Sequence, residues 1–314
     1  MSNSHPRVLF FGMEGGFSAL VLKALLDQLY PICALVVPAS ALAAKNGPAI
    51  QRREAPPVRR MQLPVLSSDP SLLQLAYAHR IPVWEALRLS SADAISPLAT
   101  YEPDLLCVAC FSQRLPRPLL ALPRLAALNV HPSLLPANRG PVPLFWTFRE
   151  GHAVSGVTIH ALETSLDSGD IFAQRRFPVP AGISYHQLEM LAARQGGELL
   201  AQTIAKIAQG NAVRVPQDET KSSYHSFPET EDFVVQAEQW RVYHVYNFIQ
   251  GVGIWDGPVS VHSGDYVLTT VQAISYTTDL AAFPDTNTVH DRKGLAWVRC
   301  LDGWVQLQVN SGLK

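Results

Sequence analysis

The opening segment limits the possible folds more than any other part of the chain. Arg7-Val-Leu-Phe-Phe-Gly12 is an apolar run closed by glycine. Apolar residues then recur at helical spacing between Phe17 and Leu29 (Leu20, Val21, Ala24, Leu25, Leu29), and Ile32 to Val37 is a second short apolar run. Strand, helix and strand in such close succession make a βαβ unit, which requires a parallel sheet. Gly12, Gly15 and Gly16 lack the GxGxxG spacing, and no acid directly after Val37 suits a ribose. A tight strand-to-helix turn is therefore favoured over a dinucleotide site.

The rhythm breaks between Pro38 and Asp69, a stretch with Pro38, Pro48, Pro56, Pro57 and Pro64 and the cations Lys45, Arg52, Arg53, Arg59 and Arg60 against Glu54. A long aperiodic segment is either mobile or functional. The cations suit phosphate contacts, and a solvated surface insertion explains them equally well. The rhythm then resumes. Helices are expected over Ser71 to His79, with Asp69-Pro70 as a start signal, and over Ser90 to Thr100, with a strand at Ile81 to Trp84. Asp104 to Cys110 is a continuous apolar run of the kind found in central parallel strands. Ligands of open α/β sheets bind at the C-terminal ends of such strands, which here means Phe111-Ser-Gln-Arg-Leu-Pro116. A short helix over Pro118 to Leu122 and a strand over Ala126 to Val130 follow, and the strand delivers Asn129 and His131 to that same edge. Further expected elements are a helix over Val142 to Gly151, strands over Ser155 to His160 and Ile171 to Val179, and a long helix over Ser184 to Gln209 stopped by Gly210.

Periodicity changes after Gly210. Asn211 to Pro228 has no repeat and is expected to be a linker, which divides the chain into residues 1–210, 211–228 and 229–314. A helix is expected over Glu238 to Phe248. Strand-like runs follow, around Ser263-Gly264 and from Leu295 to Val309, the latter broken by the hairpin signal Asp302-Gly303. Short antiparallel strands of this kind form a small barrel or curled sheet.

With 314 residues, two domains are the natural expectation. A 47% hydrophobic content supplies a real core, and 16% charged residues, against a usual value of about 25%, argue against long disordered tails. A net charge of −1 excludes nucleic-acid binding driven by the overall field, though not by a local basic patch. Of the four cysteines, Cys107 and Cys110 form a single CxxC on a strand, where positions three apart face opposite ways, so reduced thiols in a cytoplasmic protein are expected. The polar start Met1 to Pro6 has no signal-peptide pattern, and no apolar run approaches the roughly 20 residues of a membrane span.

Asn129 and His131 lie two apart on a strand and so share a face. Pro132 and Pro136 stiffen the turn around Ser133-Leu-Leu, and Leu166-Asp-Ser-Gly-Asp170 supplies a carboxylate, Asp167, from a glycine-containing loop. A fixed amide donor, a titratable ring and a carboxylate are suited to a reaction that develops an oxyanion. Asp167 can favour the imidazolium of His131 and order a water. Ser133 has no GxSxG elbow around it, so direct attack by an amine or water on an activated acyl group fits better than a covalent intermediate. The other histidines are scattered, with no HxH or HExxH, and no metal site is expected.

Four blocks in order, Asn129-Val-His-Pro-Ser-Leu-Leu-Pro, Arg139-Gly-Pro, Ser155-Gly-Val-Thr-Ile-His and Leu166-Asp-Ser-Gly-Asp-Ile, resemble the N10-formyltetrahydrofolate-dependent formyltransferase family over Arg7 to about Gly210. The resemblance implies an α/β fold: a Rossmann-like parallel-sheet domain, followed here by a small OB-like, barrel-like domain. It also implies that Asn129, His131 and Asp167 are catalytic and that N10-formyltetrahydrofolate is the co-substrate. The implied folate pocket is lined by Cys110, Phe111, Ser112, Gln113 and Leu115, by the turn Ser133, Leu134, Leu135 and Pro136, and by Glu163, Leu166, Gly169 and Asp170.

Gln217-Asp-Glu-Thr220 and the length of the C-terminal region look most like the tRNA-directed branch of the family, whose acceptor is the amino group of initiator methionyl-tRNA. On that resemblance Arg52, Arg53, Arg59, Arg60 and Arg139 are candidate acceptor contacts. Pro141 to Trp146 and the proline-rich stretch depart from that branch, so an amino-sugar nucleotide or another small amine remains an alternative acceptor. A formyltetrahydrofolate hydrolase and a non-catalytic folate- or RNA-binding protein are the remaining readings.

Overall fold

The computed structural model describes residues 5–39, 48–55, 71–253, 255, 257–283, 286–290 and 294–309. The chain forms two compact units. One comprises Met1–Arg139, Gly156–Arg176 and Glu189–Ser223, and the other Gly140–Ser155, Phe177–Leu188 and Tyr224–Lys314.

The expected βαβ opening is β1 (Val8–Gly12), α1 (Gly16–Asp27) and β2 (Ile32–Pro38). It begins a sheet whose later elements are β3 (Ile50–Arg53), α2 (Leu72–Ala78), β4 (Val83–Ala86), α3 (Ala92–Ala99), β5 (Leu105–Ala109), α4 (Arg117–Leu120) and β6 (Ala126–His131). After α5 (Pro143–Arg149) the sheet is completed by β7 (Val154–Ala161) and β8 (Ile171–Pro178), and α6 (Tyr185–Ala208) follows. The spatial order is β3-β4-β2-β1-β5-β6-β7-β8. β4, β2, β1, β5 and β6 pair in parallel, while β3 on β4 and β7 on β6 are antiparallel. β1 and β5 are buried along their whole lengths. Leu9, Phe11, Val36 and Leu106 share one core cluster, against which Phe111, Leu115 and Leu162 also pack. α6 comes unusually close to its neighbours: a Cβ at Gly197 would lie 2.6 Å from the Cβ of Ala24 on α1, so glycine permits a contact that alanine would open.

Two sequence expectations change here. Part of the proline-rich stretch is the edge strand β3, which is too short to display a period and is recognisable only by its pairing with β4. On it, exposed Arg53 reaches Glu85 at 2.9 Å and Arg52 lies 3.8 Å from Glu54. Lys45, Arg59, Arg60 and Asp69-Pro70 lie outside the described residues; α2 is instead capped by Ser71, whose hydroxyl accepts from the Gln74 N–H.

The second unit contains short 3-10 turns, β9 (Val234–Gln236), α7 (Val242–Val252), β10 (Val259–Ser263), β11 (Tyr266–Thr277), β12 (Thr288–His290), β13 (Leu295–Cys300) and β14 (Gly303–Val309). These strands form a curled half-barrel sheet in the order β12-β13-β14-β11-β10-β9, antiparallel except for β9 beside β10. Cys300 pairs with Gly303, so the expected hairpin turns through Leu301 and Asp302. The helix expected over Glu238 to Phe248 begins one turn later. Its buried stripe is Val242, Val245, Phe248, Ile249 and Val252, and Ala237–Gln239 forms a 3-10 turn instead. Among the described residues no helix is long and apolar enough to cross a membrane.

Candidate active site

β6 and β7 build the site between them. Their antiparallel register places His160 opposite Asn129 and Thr158 opposite His131. Directly opposed residues share a face and touch. The Asn129 amide nitrogen lies 3.1 Å from His160 Nε2, and His160 Nδ1 lies 2.8 Å from the Ala161 carbonyl. A carbonyl can only accept, so Nδ1 carries the proton and donates to it, leaving Nε2 to accept from the amide. One amide hydrogen of Asn129 is thus committed, and the ring holds the amide so that its second hydrogen is aimed by the strand.

His131 is held from the other side. Its Nε2 lies 2.9 Å from the Asn138 carbonyl, so this nitrogen is the donor and Nδ1 is the atom that can gain or lose a proton. Asp167 Oδ1 lies 3.7 Å from His131 Nδ1 and 3.7 Å from His160 Nε2. All three side chains are nearly excluded from solvent. Thr158 sets the turn between the two halves: its hydroxyl donates to the Ser133 carbonyl at 2.7 Å and accepts from the Leu135 N–H at 3.2 Å. Gln174 adds a bond from its amide to the Leu135 carbonyl at 2.7 Å, and the Leu135–Pro136 peptide is cis.

In the sequence His160 is one scattered histidine among several. The alternation of Ser155 to His160 marked a strand, but only its antiparallel placement beside β6 brings the ring to Asn129. Burial, reinforced by the nearby His131, lowers its pKa to about 4 from 6.5, and Asp167 opposes the shift. The folded-state value lies below the ordinary one, so the unfolded chain binds this proton more tightly. The associated stability is complete above pH 6.5 and is lost as pH falls from 6.5 towards 4. Urea unfolding on either side of this window is expected to show a loss of stability on the acid side, on the order of 1 kcal/mol per pH unit for one proton, that His160→Gln lacks.

The remaining expected site residues fall into two groups. Cys110, at φ 60, is exposed on the turn after β5, whereas Cys107 is buried within β5. Phe111 stacks edge-on against Phe11 at 5.3 Å, and Gln113 donates to the Ala86 carbonyl at 2.8 Å, fixing this turn against β4. On the loop after β7, Glu163 is exposed, Leu166 is 41% exposed, and Gly169 is buried. Among the candidate acceptor contacts, Arg52 and Arg53 lie on edge strand β3. Arg139 is 9% exposed, and its guanidinium bonds to Glu219 at 2.8 and 2.9 Å and to Gln217 at 2.7 Å. Among the described residues no cluster of three or more His, Cys, Asp or Glu side chains could hold a metal ion.

An amide donor, a ring with one nitrogen held on a carbonyl and a buried carboxylate, set beside the central strands of an α/β sheet, suit group transfer at a carbonyl. Residues 7–204 match the model of the formyl transferase family. The methionyl-tRNA formyltransferase of Pelobacter propionicus is 30% identical over 239 residues, covering 76% of this chain and 73% of its own. That of Ruminiclostridium cellulolyticum is 25% identical over 303 residues, covering 96% and 90%. Among solved structures, an N-formyltransferase from Helicobacter canadensis, in complex with folinic acid and dTDP-3-aminofucose, shares the fold with a TM-score of 0.64 at 16% identity, covering 96% of this chain and 99% of that one. The chain belongs to the formyl transferase family and is a folate-dependent transferase.

Proposed function

We propose that this enzyme moves the formyl group of N10-formyltetrahydrofolate to the amino group of methionyl-tRNA. The acceptor amine attacks the formyl carbon. The second amide hydrogen of Asn129 and the Nδ1 hydrogen of cationic His131 meet the developing oxyanion. Asp167 faces His131 Nδ1 and orders a water that accepts the amine proton and passes it to N10 as the carbon–N10 bond breaks. The folate sits against the turn from Cys110 to Leu115, the turn from Ser133 to Pro136, and the loop with Glu163, Leu166, Gly169 and Asp170. The observation that carries this reading is the pairing of one committed Asn129 hydrogen with a His131 ring whose Nε2 is held on the Asn138 carbonyl, leaving Nδ1 on the side of Asp167.

The acceptor rests on the relatives, since the match to the Ruminiclostridium cellulolyticum enzyme extends over 96% of the chain. The dTDP-3-aminofucose held by the Helicobacter canadensis neighbour favours a second reading, an amino-sugar nucleotide acceptor. A formyl-transfer assay offering initiator methionyl-tRNA beside amino-sugar nucleotides separates them. Turnover of tRNA is expected to fall steeply with added salt, because phosphate contacts release counterions. Charge reversal at Arg52, Arg53, Arg59 and Arg60 is expected to flatten that dependence. Formylation of the sugars alone overturns the tRNA acceptor, and formylation of neither overturns transfer to these amines.

A further inference from the structure

Asp167 is held in an unusual backbone state, with φ 53. An aspartate there costs about 1 kcal/mol or more unless its surroundings impose it. Its carboxylate also stands 3.7 Å from both histidines, beyond direct hydrogen-bonding distance. The pair contacts therefore do not set this separation by themselves; whatever holds the two loops contributes to it.

The stretch after α6 holds both loops. The Gln217 amide nitrogen donates to the carbonyl of Asp167 and to that of Gly169, each at 2.8 Å. Its amide oxygen accepts from Arg139 Nε at 3.2 Å and Nη2 at 2.7 Å. Two acceptors on one side and a cation on the other leave a single orientation for the amide. Glu219 grips the far side of the same guanidinium in a bidentate pair. Ser223 then takes the other loop: its hydroxyl accepts from the Asn138 N–H at 2.8 Å, its carbonyl accepts from the Arg139 N–H at 3.0 Å, and its own N–H donates to the Pro136 carbonyl at 3.2 Å. Asn138 is the residue whose carbonyl receives His131 Nε2. One short segment thus ties down the backbone of Asp167 and the backbone that orients His131.

We propose that Gln217, backed by Arg139 and Ser223, is a positioning residue that sets the spacing between Asp167 and His131 for the transfer step. The role deepens the formyl-transfer reading and rests on it. Gln217 touches no reacting atom; it acts through the two carbonyls it holds. Among the described residues, the charged and titratable groups near the pair include His160, facing Asp167, and Arg139 with Glu219 behind it, so a change at Gln217 reaches the pair through the loop and through the Arg139 charge.

The test compares the whole chain with Gln217→Met, which keeps length and loses both donors, and Gln217→Glu, which keeps the Arg139 contact but turns an acceptor towards two carbonyls. A misplacement of the order of an ångström is expected to lower kcat by about 10²-fold, with a much smaller rise in KM for the folate donor, whose proposed pocket shares the Gly169 loop. The NMR titration midpoint of the His131 ring and the acid limb of the kcat–pH profile are expected to move together. A merely structural role would reduce the folded fraction and leave the pH profile of the remaining activity unaltered; that result in either folded variant overturns the proposal. If Gln217→Met does not fold, Gln217→Glu carries the same readouts. A wild-type enzyme inactive on every amine would overturn the formyl-transfer reading, whereas the His131 titration, which needs no turnover, still reports whether Gln217 sets the pair.

Discussion

His131→Ala is expected to abolish nearly all turnover, lowering kcat by about 10³-fold, within the range for loss of a positioned acid–base group or oxyanion donor. The ring is fixed through Nε2 on the Asn138 carbonyl, so its catalytic capacity rests on the single atom Nδ1, facing Asp167. Alanine removes that atom and leaves no substitute, because the nearby ring of His160 already accepts from Asn129 and its low pKa keeps it neutral. The proposed folate pocket is lined by other residues, so donor binding is expected to persist. Removing the ring also leaves the buried Asn138 carbonyl without its donor, which costs about 1–3 kcal/mol of stability. Single-turnover rates alongside a donor-binding isotherm check the result. Near-normal turnover would place the chemistry elsewhere. Asn129→Ala is expected to lose a similar factor, and the double variant less than the product, because in the proposed mechanism the two groups serve one transition state.

Gly169→Ala is expected to have the largest effect on the fold around the site. An added Cβ would lie 2.0 Å from the Ala161 carbonyl oxygen, a contact no side chain tolerates, so the loop or the end of β7 must move. That carbonyl is the acceptor of the His160 Nδ1 hydrogen, and the Gly169 carbonyl is one of the two held by Gln217. A single methyl group thus pushes against the anchor of His160 and the loop of Asp167 together. The expected cost is about 3 kcal/mol or more, at the severe end for one substitution, with activity lost even in the folded fraction. Urea unfolding followed by an assay of the folded protein tests both. A stable, active variant would show that the loop can relax without disturbing the pair.

Much of the first unit was legible because its strands are apolar for a simple reason. β1 and β5 are buried along their whole lengths, and a doubly covered strand must be continuously hydrophobic. The four-residue β3 was not legible: its Ile50 is buried, but the residues after it face solvent, and nothing in so short a run distinguishes a strand from a loop. The helix expected from Glu238 starts one turn later, because the buried stripe starts at Val242 and Ala237–Gln239 forms a 3-10 turn.

The same division runs through the site. The order of residues along the chain was enough to nominate Asn129, His131 and Asp167, since two residues apart on a strand must share a face and a glycine-bearing loop can present a carboxylate. It also carried the family resemblance, because spaced short blocks survive in the linear order. Only the tertiary structure decided which nitrogen of His131 can titrate, that His160 faces Asn129, that Gln217 holds the Asp167 loop, and that Arg139 is bonded to Glu219 and Gln217. The first depends on the turn that brings Asn138 back onto the ring, and the others on the register between β6 and β7 or on a segment distant in sequence. Periodicity reports which face a residue takes, and register, which is set by packing, reports which residue it meets.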